Sequence, residues 1–282
     1  MKKTAVMTDT NSGITPKTAT EKGIFLLKMP FTVDDAEYTE YVDMPYEEFF
    51  KKLDSGASVS TSQPSPAALT DMWDEILREY ESLVYIPMSS GLSGTCATAK
   101  ALSAEYDGRV FVADTRRISV TLYSDVFKAL RLATDGLSAA EITARLEAEA
   151  EMQSIYVAVN TLEHLKKSGR VTAAGAAVGT LLGIKPVLQI QGGKLDAYKK
   201  VRGMQNAVSA MLDGIESDLK TKFSGKNTEI RTAYSGDKAA GEAFLNAAAE
   251  RFPEHKIGLD ALPISISCHV GAGALGIGIS VI

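Results

Sequence analysis

The chain is poor in the residues that bring disulfides, metals and redox chemistry to a protein. Two cysteines in 282 residues, Cys96 and Cys268, cannot build a disulfide framework. Three histidines without Cys or His partners at metal-ligand spacing exclude zinc-finger-like sites. Cations are not in excess either. Thirty Lys+Arg against 35 Asp+Glu leave a formal charge of −5 with no basic run, which excludes general nucleic-acid binding through clustered phosphate contacts. No apolar stretch reaches the ~18–20 residues that span a bilayer. The opening Met1 to Asp9 meets an acid too early for a signal peptide, so a cytoplasmic location is expected. What is present is ordinary globular material, 45% hydrophobic and 23% charged, in a length that suits about two domains.

The first half alternates β-rich runs with helical patterns. Thr4 to Thr8 reads as a buried strand entering the turn cluster Asp9 to Gly13, with a second apolar run at Phe25 to Phe31 and a short helix at Met44 to Leu53. Ser65 is placed to cap a helix and Pro66 to occupy its first position. Leu69, Met72, Trp73, Ile76, Leu77 and Tyr80 then form one apolar face, which predicts core packing. Strands follow at Leu83 to Met88 and Arg109 to Ala113. Helices follow at Thr95 to Tyr106, at Val120 to Thr134, and from the capping box of Ser138 and Glu141 to about Met152. Strands alternating with helices at this spacing imply a parallel sheet covered on both faces, with ligands at the carboxyl ends of its strands. Those ends carry Asp9-Thr10, Ser89 to Thr95 and Asp114-Thr115.

The second half has another rhythm. A strand (Ile155 to Val159), a short helix (Thr161 to Lys167) and the stop Ser168-Gly169-Arg170 precede a small-residue helix at Thr172 to Gly183. A hairpin from Ile184 to Arg202 turns at Gly192-Gly193, and a long helix covers about Met204 to Phe223. A strand at Glu229 to Tyr234, a helix at Lys238 to Phe252 and a β-rich end from Lys256 to Ile282 complete it. The fold expected is α/β: an N-terminal parallel-sheet α/β/α domain over 1–155 and a C-terminal α+β domain over 156–282, with a ligand between them. Segment 61–80 is a candidate for packing against the second domain.

Two motifs compete for the chemistry. Gly271-Ala272-Gly273-Ala274-Leu275-Gly276 fits the dinucleotide spacing, but a strand follows it where a helix is required, and the acidic residue some 20 positions on does not exist. Ser89 to Thr95, at a strand-to-helix turn, is more informative. Its hydroxyls and amides can surround an anion, although a well-capped turn has the same composition. Thr61-Ser62 offers a second hydroxyl pair and His269 a further polar group beside a glycine turn.

These segments resemble the DegV family of bacterial fatty-acid-binding proteins, which includes the carrier subunits of fatty-acid kinase. The matching pieces run in order: Thr8 to Ser12, Thr61 to Pro66, Ser89 to Thr95, Asp114-Thr115, Leu162 to Arg170, Gly183 to Pro186 and His269 to Ala274. The resemblance implies a non-catalytic carrier holding one long-chain fatty acid between its domains. It places the carboxylate on Thr61, Ser62, Ser93, Gly94, Thr95 and His269, with Asp9 and Thr10 in a supporting network. It also implies presentation of that carboxylate to an ATP-dependent fatty-acid kinase, docked through Arg170 and Arg202, and transient contact with a membrane surface that supplies the lipid. No cofactor or metal is implied. Two departures bear on the pocket: Ala272 stands where the family has proline, and bulky Tyr123 stands where small residues are usual, so Tyr123 is expected to limit pocket depth. The rival reading is a serine hydrolase acting on acyl esters, with Ser93 as nucleophile, His269 as base and Asp9 as orienter. The segment Gly91 to Thr95 misses the nucleophile-elbow pattern at its last position.

Overall fold

The computed structural model describes residues 2–172, 183–191 and 193–282. The alternating first half forms a four-stranded parallel sheet from β1 (Lys2–Asp9), β2 (Phe25–Leu27), β6 (Tyr80–Ile86) and β7 (Val110–Val112), in the order β2-β1-β6-β7. Successive residues point to opposite faces, so Met7 and Tyr85 meet one helical layer while Val6, Val84 and Ile86 meet the other. The first layer is α3 (Pro66–Ile76) and α4 (Thr95–Ser103), through Leu69, Trp73, Ile76, Cys96 and Ala99. The second contains α1 (Pro16–Lys22), α5 (Ser119–Thr134) and α6 (Ala139–Ala148). Ser65 Oγ accepts from Ala68 N at 3.1 Å with Pro66 opening α3, and Ser138 and Glu141 close the expected capping box. Each such cap contributes about 1 kcal/mol.

The second domain is a six-stranded mixed sheet. Its strands are β8 (Gln153–Ala158), β9 (Ile184–Gln191), β10 (Lys194–Arg202), β11 (Thr228–Tyr234), β12 (Gly258–Ala261) and β13 (Leu275–Val281), ordered β10-β9-β8-β13-β11-β12. Pairings are antiparallel except β11 with β12. Helices α8 (Met204–Lys220) and α9 (Lys238–Arg251) cover one face through Tyr156, Ile230, Ile277 and Ile279. The other face, with Ile155, Val157, Ile190 and Ala233, turns toward Leu92, Ile118 and Val120 of the parallel-sheet domain.

Three expectations need correction. The apolar run at Phe25 to Phe31 is two strands, because β3 (Pro30–Val33) leaves the parallel sheet to join β4 (Ala36–Thr39) and β5 (Val59–Thr61) in a small antiparallel sheet. This small sheet, with α2 (Tyr46–Asp54), is what packs on the second half. Phe31, Val33, Phe49 and Phe50 cluster with Ile264 and Cys268. Segment 66–76 lies instead on the parallel sheet, where its apolar stripe is matched by Met7 and Tyr85. The third concerns the C-terminal run. The expectation is a β-rich end from Lys256 to Ile282, yet Ile264–Val270 within it is a helix, α10, entered from Pro263 and buried almost all round. Its serines are tolerated there because each hydroxyl finds a partner. The helix expected at 172–183 lies largely outside the described residues, as does Gly192 of the hairpin turn.

Candidate ligand-binding site

A small cavity of about 70 Å³ opens where the two domains meet. Its polar end gathers Thr61 and Ser62 from the end of β5, Ser93 from the loop before α4, and His269 from α10. Arg170 joins them, just beyond α7 (Glu163–Ser168) and its left-handed cap Gly169. Thr61 Oγ1 lies 2.8 Å from His269 Nε2. His269 Nδ1 is buried without a partner, and burial, with Arg170 and His164 nearby, holds the imidazole down at about 4. The neutral ring donating from Nε2 leaves the Thr61 proton free for a ligand. Ser93 Oγ accepts from Thr95 N at 3.2 Å and contacts Thr95 Oγ1 at 2.9 Å.

The loop that carries Ser93 is tied across the domain boundary. Ser89 Oγ donates to Gly193 O at 3.0 Å and accepts from Gly91 N. A Cβ on Gly91 would stand 2.4 Å from Gly193 O, so the close approach of two backbones requires glycine there. Ser90 is held by Asp114. Of the three serines, Ser93 is the one that lines the cavity.

Beside it lies a second pocket of about 60 Å³, lined almost wholly by apolar side chains. Leu92, Ile118, Leu195, Ile266 and Val270 belong to both. The second pocket adds Val120, Ile155, Val157, Ile190, Ala233, Leu262 and Gly276, with Ser119 as its one polar side chain among the described residues. Polar groups thus line one pocket, and an apolar pocket adjoins it through shared walls.

Under the mouth lies a buried network that the sequence did not announce. Asn11 and Ser265 line the cavity, and Ser265 Oγ donates to Asn11 Oδ1 at 2.9 Å. Glu40, just after β4, has Oε2 against Thr10 Oγ1 at 2.5 Å and Ser265 Oγ at 3.1 Å. Asn11 Nδ2 donates to Asp9 Oδ1, and Ser265 Oγ has one proton to share between Asn11 Oδ1 and Glu40 Oε2. Burial pushes the Glu40 carboxyl up to about 7, against the lowering hydrogen bonds from Thr10 and Ser265. Asp9 is likewise pushed up to about 6 by burial, with Asn11, Met88 and Tyr85 bonding to it. Nothing in an acid that follows the strand Ala36-Glu37-Tyr38-Thr39 distinguishes Glu40 from a solvated residue.

The expected site residues thus fall into groups. Thr61, Ser62, Ser93 and His269 converge. Gly94 faces an outer groove, Thr95 is buried behind Ser93, and Asp9 and Thr10 sit beneath Asn11. Arg170 stands in the cavity wall and in both outer grooves beside it, whereas Arg202 is exposed at the end of β10, outside the described linings. The hydroxyl-only mouth needs revising to include a guanidinium. Tyr123 does not wall the pocket. It lies one turn beyond Val120 on α5, stacked on Phe127 with the Arg231 guanidinium 3.8 Å over its ring. The Ala272 loop is pinned by Asn160 Nδ2 on Ala272 O and by Ser235 Oγ on Gly271 O. The hydrolase relay is not assembled: Ser93 pairs with Thr95, His269 with Thr61, and Asp9 with Asn11, Tyr85 and Met88. Among the described residues no group of three His, Cys, Asp or Glu side chains could hold a metal ion, and no helix is long and apolar enough to cross a membrane.

Comparison with known proteins gives consistent matches. A family model described as "Uncharacterised protein, DegV family" matches residues 3–281. A DegV domain-containing protein of Deinococcus radiodurans is 28% identical over 277 residues, covering 97% of this chain and 96% of that protein. A solved DegV family protein from Thermus thermophilus, described by its fatty-acid binding, superposes with a TM-score of 0.90 at 29% identity, over 99% of this chain and all of that one. A fatty acid binding DegV family protein from Streptococcus agalactiae gives a TM-score of 0.88 at 25% identity, over the full length of both chains.

Proposed function

The chain belongs to the DegV family, and on that premise we propose that it binds one long-chain fatty acid, tail in the apolar pocket and carboxylate at the Thr61, Ser62, Ser93, Arg170 and His269 mouth. One observation carries the reading: a cavity with polar lining and an adjoining apolar pocket share five wall residues, the arrangement an amphipathic ligand needs. A C16 tail brings about 14 methylenes, whose burial contributes ~11 kcal/mol before the costs of ordering and association. The carboxylate must keep hydrogen bonds when drawn from water. Thr61 and Ser93 hydroxyls donate to it, and the Arg170 guanidinium supplies the positive charge without sealing the exit.

The reading extends to a carrier role. Two outer grooves meet the mouth at Arg170, so an ATP-dependent kinase partner reaches the carboxylate there, and Arg202 adds charge for docking elsewhere on the surface. The lipid is acquired through transient contact with a membrane surface, in the cytoplasm, without cofactor or metal. The protein itself catalyses nothing in this scheme.

Lipid mass spectrometry on gently purified protein tests the core of it. The wild type is expected to carry one fatty acid per chain. Ser93→Ala and Thr61→Val should each bind ten- to a hundredfold more weakly while still folding, since a lost donor to a buried charge costs about 1.5–3 kcal/mol. Thr61→Val also lowers the melting temperature, because it strands the buried His269 ring. Covalent labelling of Ser93 by a fluorophosphonate, with no lipid found, would instead favour the hydrolase.

A further inference from the structure

The depth of the apolar pocket is written in β13. Its alternation sends Ile277 and Ile279 to the α8 and α9 face and leaves glycines, Gly276 and Gly278, on the face toward the parallel-sheet domain. Neither glycine has the positive φ that would demand one, so the backbone accepts other residues at both. The two rows they occupy are nevertheless filled differently. Gly278 lies between Ile155 and Arg231, and a Cβ there would meet Val120 Cγ2 at 2.6 Å and Thr121 Cγ2 at 2.9 Å. That row is closed by α5. Gly276 lies between Val157 and Ala233, and the nearest atoms to its Cβ position are Tyr156 O at 3.7 Å and Val157 Cγ2 at 4.0 Å. That row is open, and it forms part of the apolar pocket.

We propose that Gly276, with Ala233 beside it on β11, is the floor of the acyl pocket and sets the longest chain the protein accepts. The inference rests on the fatty-acid reading above and adds to it a specificity determinant. Two adjacent residues with almost no side chain let a ligand approach the sheet backbone there. The wall one row further, where Val120 packs on Gly278, stops the tail. A side chain at 276 would project into space reserved for the terminal methyl, while leaving the Arg170 mouth untouched. Packed apolar pockets discriminate single methylenes by roughly tenfold or more, so the effect should be graded with substituent size.

The test is displacement of a fluorescent fatty acid by saturated acids from C12 to C20, on wild type, Gly276→Ala, Gly276→Val and Ala233→Val. Gly276→Val is expected to lose about tenfold or more at C18 relative to C14. Gly276→Ala should shift the same way by less, and Ala233→Val should reproduce the shift from the neighbouring strand. Gly276→Ala meets no close atom, so it keeps the test intact should the valine variant fail to fold. Variants that melt like wild type yet show its length profile, or that lose every length equally, overturn the proposal while the fatty-acid reading stands. A wild type that binds none of these acids overturns both.

Discussion

The two domains meet along two seams, and α5 runs through both. Past its first turn the seam is solid. Ser124 Oγ donates to Glu229 at 2.6 Å and Arg231 stacks on Tyr123, while Val120 and Thr121, at the edge of the first turn, already close the row at Gly278. At its first turn, Ile118 and Val120 face the cavity instead. An unfilled apolar hole costs stability in proportion to its volume unless its walls relax onto it. They are held apart by the closed seam on one side and by the Ser89–Gly193 tie on the other. An interface can therefore be hollow without being weak, provided its polar and charged contacts lie where the hollow is not.

The largest effect should come from breaking the buried ion pair that anchors α5 from within its own domain, behind the closed seam. Arg117 and Asp125 are fully buried, with Nε 3.0 Å from Oδ2, and the Arg117 guanidinium also donates to Glu149 O at 2.9 Å, just before β8. Burial outweighs the attraction of Arg117 and Lys128 and pushes the Asp125 carboxyl up to about 6, so the pair is charged at neutral pH but gains little net stability. Removing one partner is different. Asp125→Ala strands a buried guanidinium at a cost of about 3–5 kcal/mol, or a fall of about 10 °C in melting temperature. The double variant Arg117→Met with Asp125→Leu should recover most of that loss in the same thermal scan. Equal losses in both would mean this anchor depends on packing rather than on charge balance.

The closed seam was partly legible in the sequence and the open one was not. Alternation and caps located the parallel sheet and its helices, because Ser65, Pro66, Ser138 and Glu141 act within one turn of where they stand. The mouth residues Thr61, Ser93 and His269 were found through resemblance, since the His269–Thr61 bond links positions 208 residues apart and no local pattern reports it. Glu40 escaped because its partners, Thr10 and Ser265, come from opposite ends of the chain. The role of Tyr123 was misjudged for a geometric reason: position 123 shares a face with 120 but lies one turn on, over Arg231 rather than over Ala233. The pocket itself is an absence of side chains, and alternating glycines on a strand spell both a close contact and a void.

Glu40 allows the edge of the open seam to be sharpened by pH. Its folded carboxyl is raised to about 7 from 4.5, so the folded state holds a proton that the unfolded chain releases between those values. Its contribution is complete below about pH 4.5 and is lost as pH rises through 7. Glu40→Gln keeps the neutral form at every pH. Its melting temperature should match that of wild type at pH 5 and exceed it at pH 8, by up to about 3 kcal/mol in stability. His269 runs the other way, since a folded value near 4 costs stability as pH falls below 6.5, but it is common to both proteins and cancels in the difference. A gap between the two proteins that does not widen with pH would show that Glu40 is ionised throughout.

The smallest effect expected is also the one that best separates the mouth from the surface. Arg170 lines the cavity and contributes to holding His269 neutral, while Arg202 is exposed at the far end of the hairpin. Arg170→Ala removes the guanidinium from the head-group end and should weaken fatty-acid binding about tenfold or more, most for the free acid and least for its methyl ester. Arg202→Ala changes an exposed residue, whose removal should leave fatty-acid affinity within about twofold. If Arg202 serves docking, the variant raises the kinase concentration needed for half-maximal turnover, and added salt erases its difference from wild type, because a rim charge acts mainly on the rate of encounter. Measuring acid, ester and kinase titrations on the two variants side by side assigns each arginine to one task. An Arg202→Ala protein that loses its lipid would place that residue at the mouth after all, and would require the hairpin end to move toward Arg170 when ligand is bound.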